Sequence, residues 1–489
     1  MNDVKVLLIR SPQVFARGGH VAVHTDVPLA LMYLGAAAER AGHEVVVYDA
    51  ATQAEPGPLQ FDEKGRLYVG EPWDEVARAI EAAAPDVIGI TSLFYTQMPQ
   101  ALETARIARR VCPEVPIVMG GAPVTVRPGD YLDEPAVSMA LVGEGDAALP
   151  LLLETLARGE DLRGVPNLVY RADGRIQRNP ITPFVEDLDT LGGPAYHLVD
   201  LSRYTRALSQ DPAGRWRWKP HRIMTVQTSR GCPFRCTYCA VRLHMGRKYR
   251  VQSPERVLAH LRFIATDLGL RHIHFIDDNL GQDQERFLAI LDGLIAMKRE
   301  GLPMVWDTPI GMRTDRLTYD ILAKAREAGC RSMYLTVESG SQRVLDHVIQ
   351  KGLRLEKVLQ AADSCKRLGI KARAGFIMGL PGETLEDMQM TVDMARHLKR
   401  RYGIRGHVSM ATPLYGTRLY EICEREGYLR QEMTPETVAR SFAEGGMIET
   451  ADWTVADLRK MRDAFERQDG WLHQVVRGAR NRLRRFGRR

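Results

Sequence analysis

Two runs of strand–helix alternation, separated by a stretch that breaks the rhythm, constrain the fold of this 489-residue chain more than any other feature. In the first run, short β-branched segments at residues 4–9, 44–48, 86–91, 116–119 and 137–142 alternate with helix-period segments at 30–41, 73–84, 97–111 and 146–158. Strands joined through helices re-enter a sheet in the same direction, so this pattern predicts a doubly wound parallel sheet. Glycines stand at its strand ends (Gly120, Gly121, Gly143, Gly145), the edge where such sheets hold ligands. The second run begins at 222, with strands predicted at 223–228, 272–277, 304–308, 332–338, 372–378 and 407–411. Six βα units make a partial barrel with functional residues at the carboxyl ends of its strands. Between the runs, 166–179 reads as a hairpin turning at Asp173-Gly174, followed by loop. The expected division is 1–158, a linker over 159–220, a barrel over 221–415 and a helical segment over 416–489.

Charge narrows the partners. Lys and Arg number 67 against 61 Asp and Glu, a formal +6, yet residues 477–489 alone hold seven Arg and no acid. The remaining body is near neutral, which argues against nucleic acid as a partner. On a helical wheel Trp471, Leu472, Val475, Val476, Ala479, Leu483 and Phe486 share one face and the arginines cover the rest. Such a tail fits peripheral contact with an anionic membrane, or a helix docked by its apolar stripe. The opening MNDVKVLLIRSP reads as a strand rather than a signal peptide, and no apolar run approaches the ~18 residues of a membrane span. A cytoplasmic setting is the expectation.

The chemistry concentrates in SRGCPFRCTYCAV, residues 229–241, directly after the first barrel strand. Three of the seven cysteines, Cys232, Cys236 and Cys239, fall within eight residues. Three thiolates on one loop can hold three irons of a [4Fe–4S] cluster and leave the fourth open. A structural zinc site wants four ligands; His244 is the nearest candidate, but zinc leaves the spacing and the barrel unexplained.

Cys-x3-Cys-x-Tyr238-Cys at the head of a partial barrel resembles the radical S-adenosylmethionine (SAM) superfamily over about residues 222–415. The resemblance implies a [4Fe–4S] cluster on the three cysteines and Tyr238 against the adenine. It implies Asp278 and Asn279 near the methionine amino group and Arg313 near its carboxylate. Glu338 and Ser339 would face the ribose, and Gly379 belongs to a glycine-rich signature, GFIMGLPGET (375–384). An external electron donor such as flavodoxin or ferredoxin is implied.

The first domain, flavodoxin-like in pattern, is similar to the cobalamin-binding domain that precedes the barrel in one branch of that superfamily. TSLFYTQMPQA (91–101), GGAPVT (120–125) and VGEGDAALP (142–150) carry this likeness. It implies cobalamin contacts from Thr91, Ser92, Leu93, Tyr95, Gly120, Gly121, Val142, Gly143 and Glu144. The Asp-x-His-x-x-Gly loop that supplies a cobalt ligand elsewhere is absent, and His20 and His24 lack that spacing. Cobalt without a histidine ligand is therefore expected, with its lower face toward residues 93–95. A methylthiotransferase is disfavoured, because its first domain brings three further cluster cysteines and here only Cys112 is present.

The function implied is a cobalamin-dependent radical SAM C-methyltransferase, moving a methyl group from methylcobalamin to an unactivated carbon of a small-molecule substrate. The alternatives are an oxidative cyclase or rearrangement enzyme using the same cofactors, and a non-catalytic metal-binding or membrane-associated protein. No general acid or base is nominated.

Overall fold

The computed structural model describes residues 3–15, 23–24, 26–52, 60–62, 65–182, 184–210, 216–444 and 446–467. His20 and the amphipathic tail fall outside them.

The first sheet contains β1 (Lys5–Arg10), β2 (Glu44–Asp49), β3 (Val87–Thr91), β4 (Ile117–Gly120) and β5 (Met139–Leu141), all parallel, in the order β2-β1-β3-β4-β5. Alternation along β1 explains the two layers of helix. Leu7 and Ile9 pack with Val76 and Ile80 of α2 (Trp73–Ala83) and with Ala101 and Ala105 of α3 (Met98–Val111). Val6 and Leu8 point the other way, against Leu31 and Ala38 of α1 (Leu29–Arg40) and Leu149 and Leu152 of α4 (Gly145–Arg158). The order reverses direction between β1 and β3, which sets the ligand crevice at their carboxyl ends.

The first sheet continues past residue 158. Strand β6 (Leu168–Ala172) extends the same sheet antiparallel to β5 and buries Leu168, Val169 and Tyr170, and β7 (Arg175–Arg178), antiparallel to β6 and exposed throughout, forms the edge. Asp173 (φ 51°) and Gly174 (φ 71°) both take the left-handed conformation of a tight hairpin. The linker expected over 159–220 also holds strand: Arg206–Gln210 pairs with Trp216–Pro220 and with Val23–His24 of the first domain.

The second sheet places β8 (Met224–Val226), β9 (His272–Phe275), β10 (Val305–Arg313), β11 (Cys330–Glu338), β12 (Lys371–Met378) and β13 (Arg405–Met410) side by side, parallel and in chain order. Helices α5 (Pro254–Thr266), α6 (Gln284–Arg299), α7 (Tyr319–Glu327), α8 (Leu355–Leu368) and α9 (Leu385–Tyr402) connect the strands. β10 runs past the predicted end at 308. A register shift between Thr308 and Met312, with Gly311 at φ 110°, carries the chain through Pro309 and delivers Arg313 to the carboxyl edge.

The last segment folds as α10 (Arg418–Arg425), α11 (Pro435–Glu444) and α12 (Val455–Glu466). Phe465 is fully buried against Phe376 of β12, and Trp453 Nε1 donates to the carbonyl of Glu383 at 2.9 Å. Among the described residues no helix is long and apolar enough to cross a membrane.

Candidate active site at two facing strand edges

The cysteine loop is pinched at its base, where Ser229–Arg230 pairs antiparallel with Arg250–Val251. Gly231, at φ 84°, must be glycine, since a Cβ there would stand 2.3 Å from the carbonyl oxygen of Lys248. Thr237 anchors the tip, its N–H donating to Ile349 O at 3.0 Å and its hydroxyl to Val348 O at 3.0 Å. Cys232, Cys236 and Cys239 are free and half-buried. Burial pushes all three thiols up, Cys239 to about 12, so they give up protons readily only to a metal.

Three strand ends converge on this loop. After β9, Asp277 is spent on the fold: its Oδ1 accepts from Thr228 N (3.0 Å), Thr228 Oγ1 (2.8 Å) and Ser229 Oγ (2.5 Å). Asp278 differs. Its Oδ2 is buried with no hydrogen-bond partner among the described residues. Burial, then the neighbouring Asp277, raises its pKa to about 6, and its charge is close enough to raise Cys232 and Cys239. At the end of β11, Glu338 adopts φ 70°, a left-handed backbone on a non-glycine residue, at a register shift. Such an outlier persists only where its surroundings hold it. Here the holder is Lys351, 5% exposed, whose Nζ lies 2.7 Å from Glu338 Oε1. Tyr238 sits against them; burial, then Glu338, drives its hydroxyl pKa well up. Arg313 stacks 3.6 Å over the Phe234 ring, makes two 3.0 Å bonds to Asp315 and donates to Lys351 O.

Other expected contacts have internal partners instead. Asn279 donates to Gln282 at 3.0 Å within its own loop. Ser339 is fully buried, with Oγ 3.1 Å from Thr391 of α9. Gly379 N–H donates to Glu383 Oε2 at 2.8 Å, and a Cβ there would meet Leu458 of α12 at 2.9 Å, so the glycine-rich signature shapes a turn. Burial raises Glu383 to about 8.

On the first sheet, Thr91 ends β3 opposite Gly120. Gly121, at φ 118°, lets the two strand ends touch, since its Cβ would fall 2.1 Å from Ser92 O. Ser92 is buried and bonded to the Tyr131 hydroxyl at 2.8 Å, and Val142 is core, so neither faces outward. Gly143 N–H donates to Thr125 Oγ1 at 2.9 Å. Leu93 and Phe94, by contrast, are 46% and 60% exposed on the strand edge, an apolar surface left for a large flat ligand. Tyr95 packs edge-on against Tyr415 at 5.3 Å, and its hydroxyl donates to Met433 O at 3.3 Å.

Glu144 does a different job from the one expected. It pairs with Arg250 (2.8 Å) and Arg230 (3.2 Å), while Asp146 takes Arg230 at 2.8 Å. Arg230 lies two residues before Cys232, so the carboxyl end of β5 is bolted to the base of the cysteine loop. Lys351, Arg230 and Arg250 were invisible as partners in the sequence; the signal available was only that Arg230 abuts the cysteine motif. The donor sets fit the cofactors: three thiols for a cluster with one open iron, an orphan carboxylate beside them, and an uncovered apolar edge opposite.

Comparison with known proteins agrees with this geometry. Residues 226–395 match the Radical SAM superfamily and residues 20–153 match the B12 binding domain. The chain is 30% identical to an uncharacterized methyltransferase of Pyrococcus horikoshii over 86% of this chain and 83% of that protein. It is 27% identical to the cytidylyl-2-hydroxyethylphosphonate methyltransferase of Streptomyces wedmorensis, over 95% of this chain and 89% of that one. In fold it resembles the radical S-adenosylmethionine methyltransferase TsrM from Kitasatospora setae, solved with cobalamin and a [4Fe–4S] cluster bound, with a TM-score of 0.68 at 19% identity, covering 88% of this chain and 79% of that one. The chain belongs to the cobalamin-binding branch of the radical SAM superfamily.

Proposed function

We propose that this protein is a cobalamin-dependent radical SAM C-methyltransferase acting on an unactivated carbon of a small molecule. The observation that carries the proposal is the bolt between the sheets. Glu144 and Asp146, just after β5, grip Arg230 at the root of the cysteine loop, which joins the carboxyl edge of the first sheet to the loop that carries the three cysteines. Held there, the cluster and SAM would supply hydrogen-abstraction chemistry and cobalamin would supply the methyl group.

The chain's own residues bind and orient. Cys232, Cys236 and Cys239 hold the cluster. Asp278, whose buried Oδ2 has no hydrogen-bond partner among the described residues, is suited to the cationic ammonium of methionine. Glu338, locked by Lys351, is suited to ribose hydroxyls, and Tyr238 to the adenine face. Leu93, Phe94 and Tyr95 would offer cobalamin an apolar surface, with Thr91, Gly120, Gly121 and Gly143 at its margin. We infer an external electron donor of the flavodoxin or ferredoxin kind and a cytoplasmic setting, since a reducing compartment suits a thiolate-held cluster.

The test is incubation of the reconstituted enzyme with methyl-labelled SAM, a reductant and candidate substrates. Labelled product one CH2 heavier, formed with 5′-deoxyadenosine, is expected. 5′-Deoxyadenosine without any methylated product sinks the proposal, and an oxidised product in its place establishes the cyclase chemistry. Cys236→Ala should lose both cluster absorbance and SAM cleavage.

A further inference from the structure

At the opposite end of the barrel, away from the cysteine loop, three potential ligands meet. His272 opens β9, and alternation separates its two faces: Ile273 and Phe275 are buried in the helix-packed core with Trp306, so His272 and His274 both point to the inner face. The register sets His274 directly opposite Asp307 of β10, which also alternates with Trp306. His272 Nε2 lies 2.6 Å from Asp307 Oδ2 and His274 Nε2 lies 3.6 Å from the same oxygen. The two imidazoles stand nearly perpendicular, 88°, with centroids 5.4 Å apart. All three ligand atoms fall within 4.8 Å of one another.

We propose that His272, His274 and Asp307 bind one divalent transition-metal ion of the zinc, nickel or cobalt class, bracing the starts of β9 and β10. With bonds of about 2.1 Å, ligands at the tetrahedral angle stand about 3.4 Å apart, so small ring rotations close the site. Two imidazoles and one carboxylate select borderline ions over magnesium or calcium. Side-chain exposures of 16%, 14% and 9% leave room for a small ion to reach them. A second observation points to the same place. Thr225 is paired with His274 across β8 and β9 and is 3% exposed, yet its hydroxyl has no hydrogen-bond partner among the described residues. A water filling the fourth coordination position gives that hydroxyl its partner. The competing cation is Arg331, 3.4 Å from Asp307 Oδ2 and 55% exposed, a side chain that solvent can take back. His221, 6.2 Å from His274 and 3.6 Å from Asp26, borders the site.

This inference stands apart from the methyltransferase reading, and so does its test. Full-length enzyme with its cluster and cobalamin loaded is treated with a mild chelator and dialysed against micromolar zinc; zinc and iron are then counted by elemental mass spectrometry. One zinc per chain with iron unchanged is expected, and none in the His272→Gln/His274→Gln double variant at equal iron content. Zinc that replaces iron, or equal zinc in the two proteins, overturns the proposal. Should the double variant fail to fold, Arg331→Ala decides alone. Removing a charge beside the ligand oxygen is expected to tighten zinc about fivefold, and an unchanged affinity overturns the site.

Discussion

Glu144→Gln is the most informative single change, because it unbolts the two domains while keeping side-chain size. Glu144, Asp146, Arg230 and Arg250 are 6%, 8%, 10% and 2% exposed, so the group is buried and balanced, two carboxylates to two guanidiniums. The substitution leaves one carboxylate for two cations. Breaking a buried pair from one side costs about 3–5 kcal/mol. Arg250 keeps its bonds to the carbonyls of Val185 (2.6 Å) and Met245 (2.8 Å), which holds the cost near the lower end, about 3 kcal/mol. Urea denaturation of Glu144→Gln, Arg250→Met and the double variant isolates the pair, with a coupling energy of about 2 kcal/mol expected. The functional counterpart is uncoupling: SAM cleavage continues while the ratio of 5′-deoxyadenosine to methylated product rises. An unmoved denaturation midpoint, or a coupling energy below about 0.5 kcal/mol, refutes the reasoning.

Three further outcomes follow from single side chains. Asp278→Asn should lower SAM affinity at least tenfold, the scale of one charge-assisted hydrogen bond; in the wild type, affinity should rise from pH 5 to pH 7 as the carboxylate ionises around its pKa of about 6, and binding isotherms of the variant should be flat over that range. Gly121→Ala forces a Cβ to 2.1 Å from Ser92 O at φ 118°, so cobalamin retained per chain after gel filtration should fall sharply and stability should drop by roughly 2–4 kcal/mol. Glu383, raised to about 8 by burial, is protonated in the folded chain at a pH where the unfolded chain is not. The folded state therefore loses stability as pH rises from about 4.5 to 8, and Glu383→Gln should flatten that part of the thermal-melt profile.

The alternation of strands and helices was legible because parallel strands buried on both faces must be apolar throughout, as Val6, Leu7, Leu8 and Ile9 are. The cysteine loop was legible because its ligands are local. What escaped reading depends on distance along the chain. Glu144 carries the charge and strand-end position of a ligand contact, and only Arg230 and Arg250, 86 and 106 residues on, reassign it. Ser92 and Ser339 likewise met Tyr131 and Thr391, partners that no local pattern announces. β10 extends beyond 308 because a bulge carries Pro309 within the strand, which a local pattern does not announce.

The described chain after β13 ties the two domains together. Tyr415 and Met433 reach Tyr95 on the first sheet, while Ser441 lies 3.4 Å from Thr412, just beyond β13, and Trp453 closes on Glu383. It spans both halves, and among the described residues it supplies no strand to either main sheet. Its loops can therefore vary in length and character while every register in the cofactor-bearing scaffold stays put. A change there reaches both cofactor-bearing edges at once without altering the pairing of either main sheet.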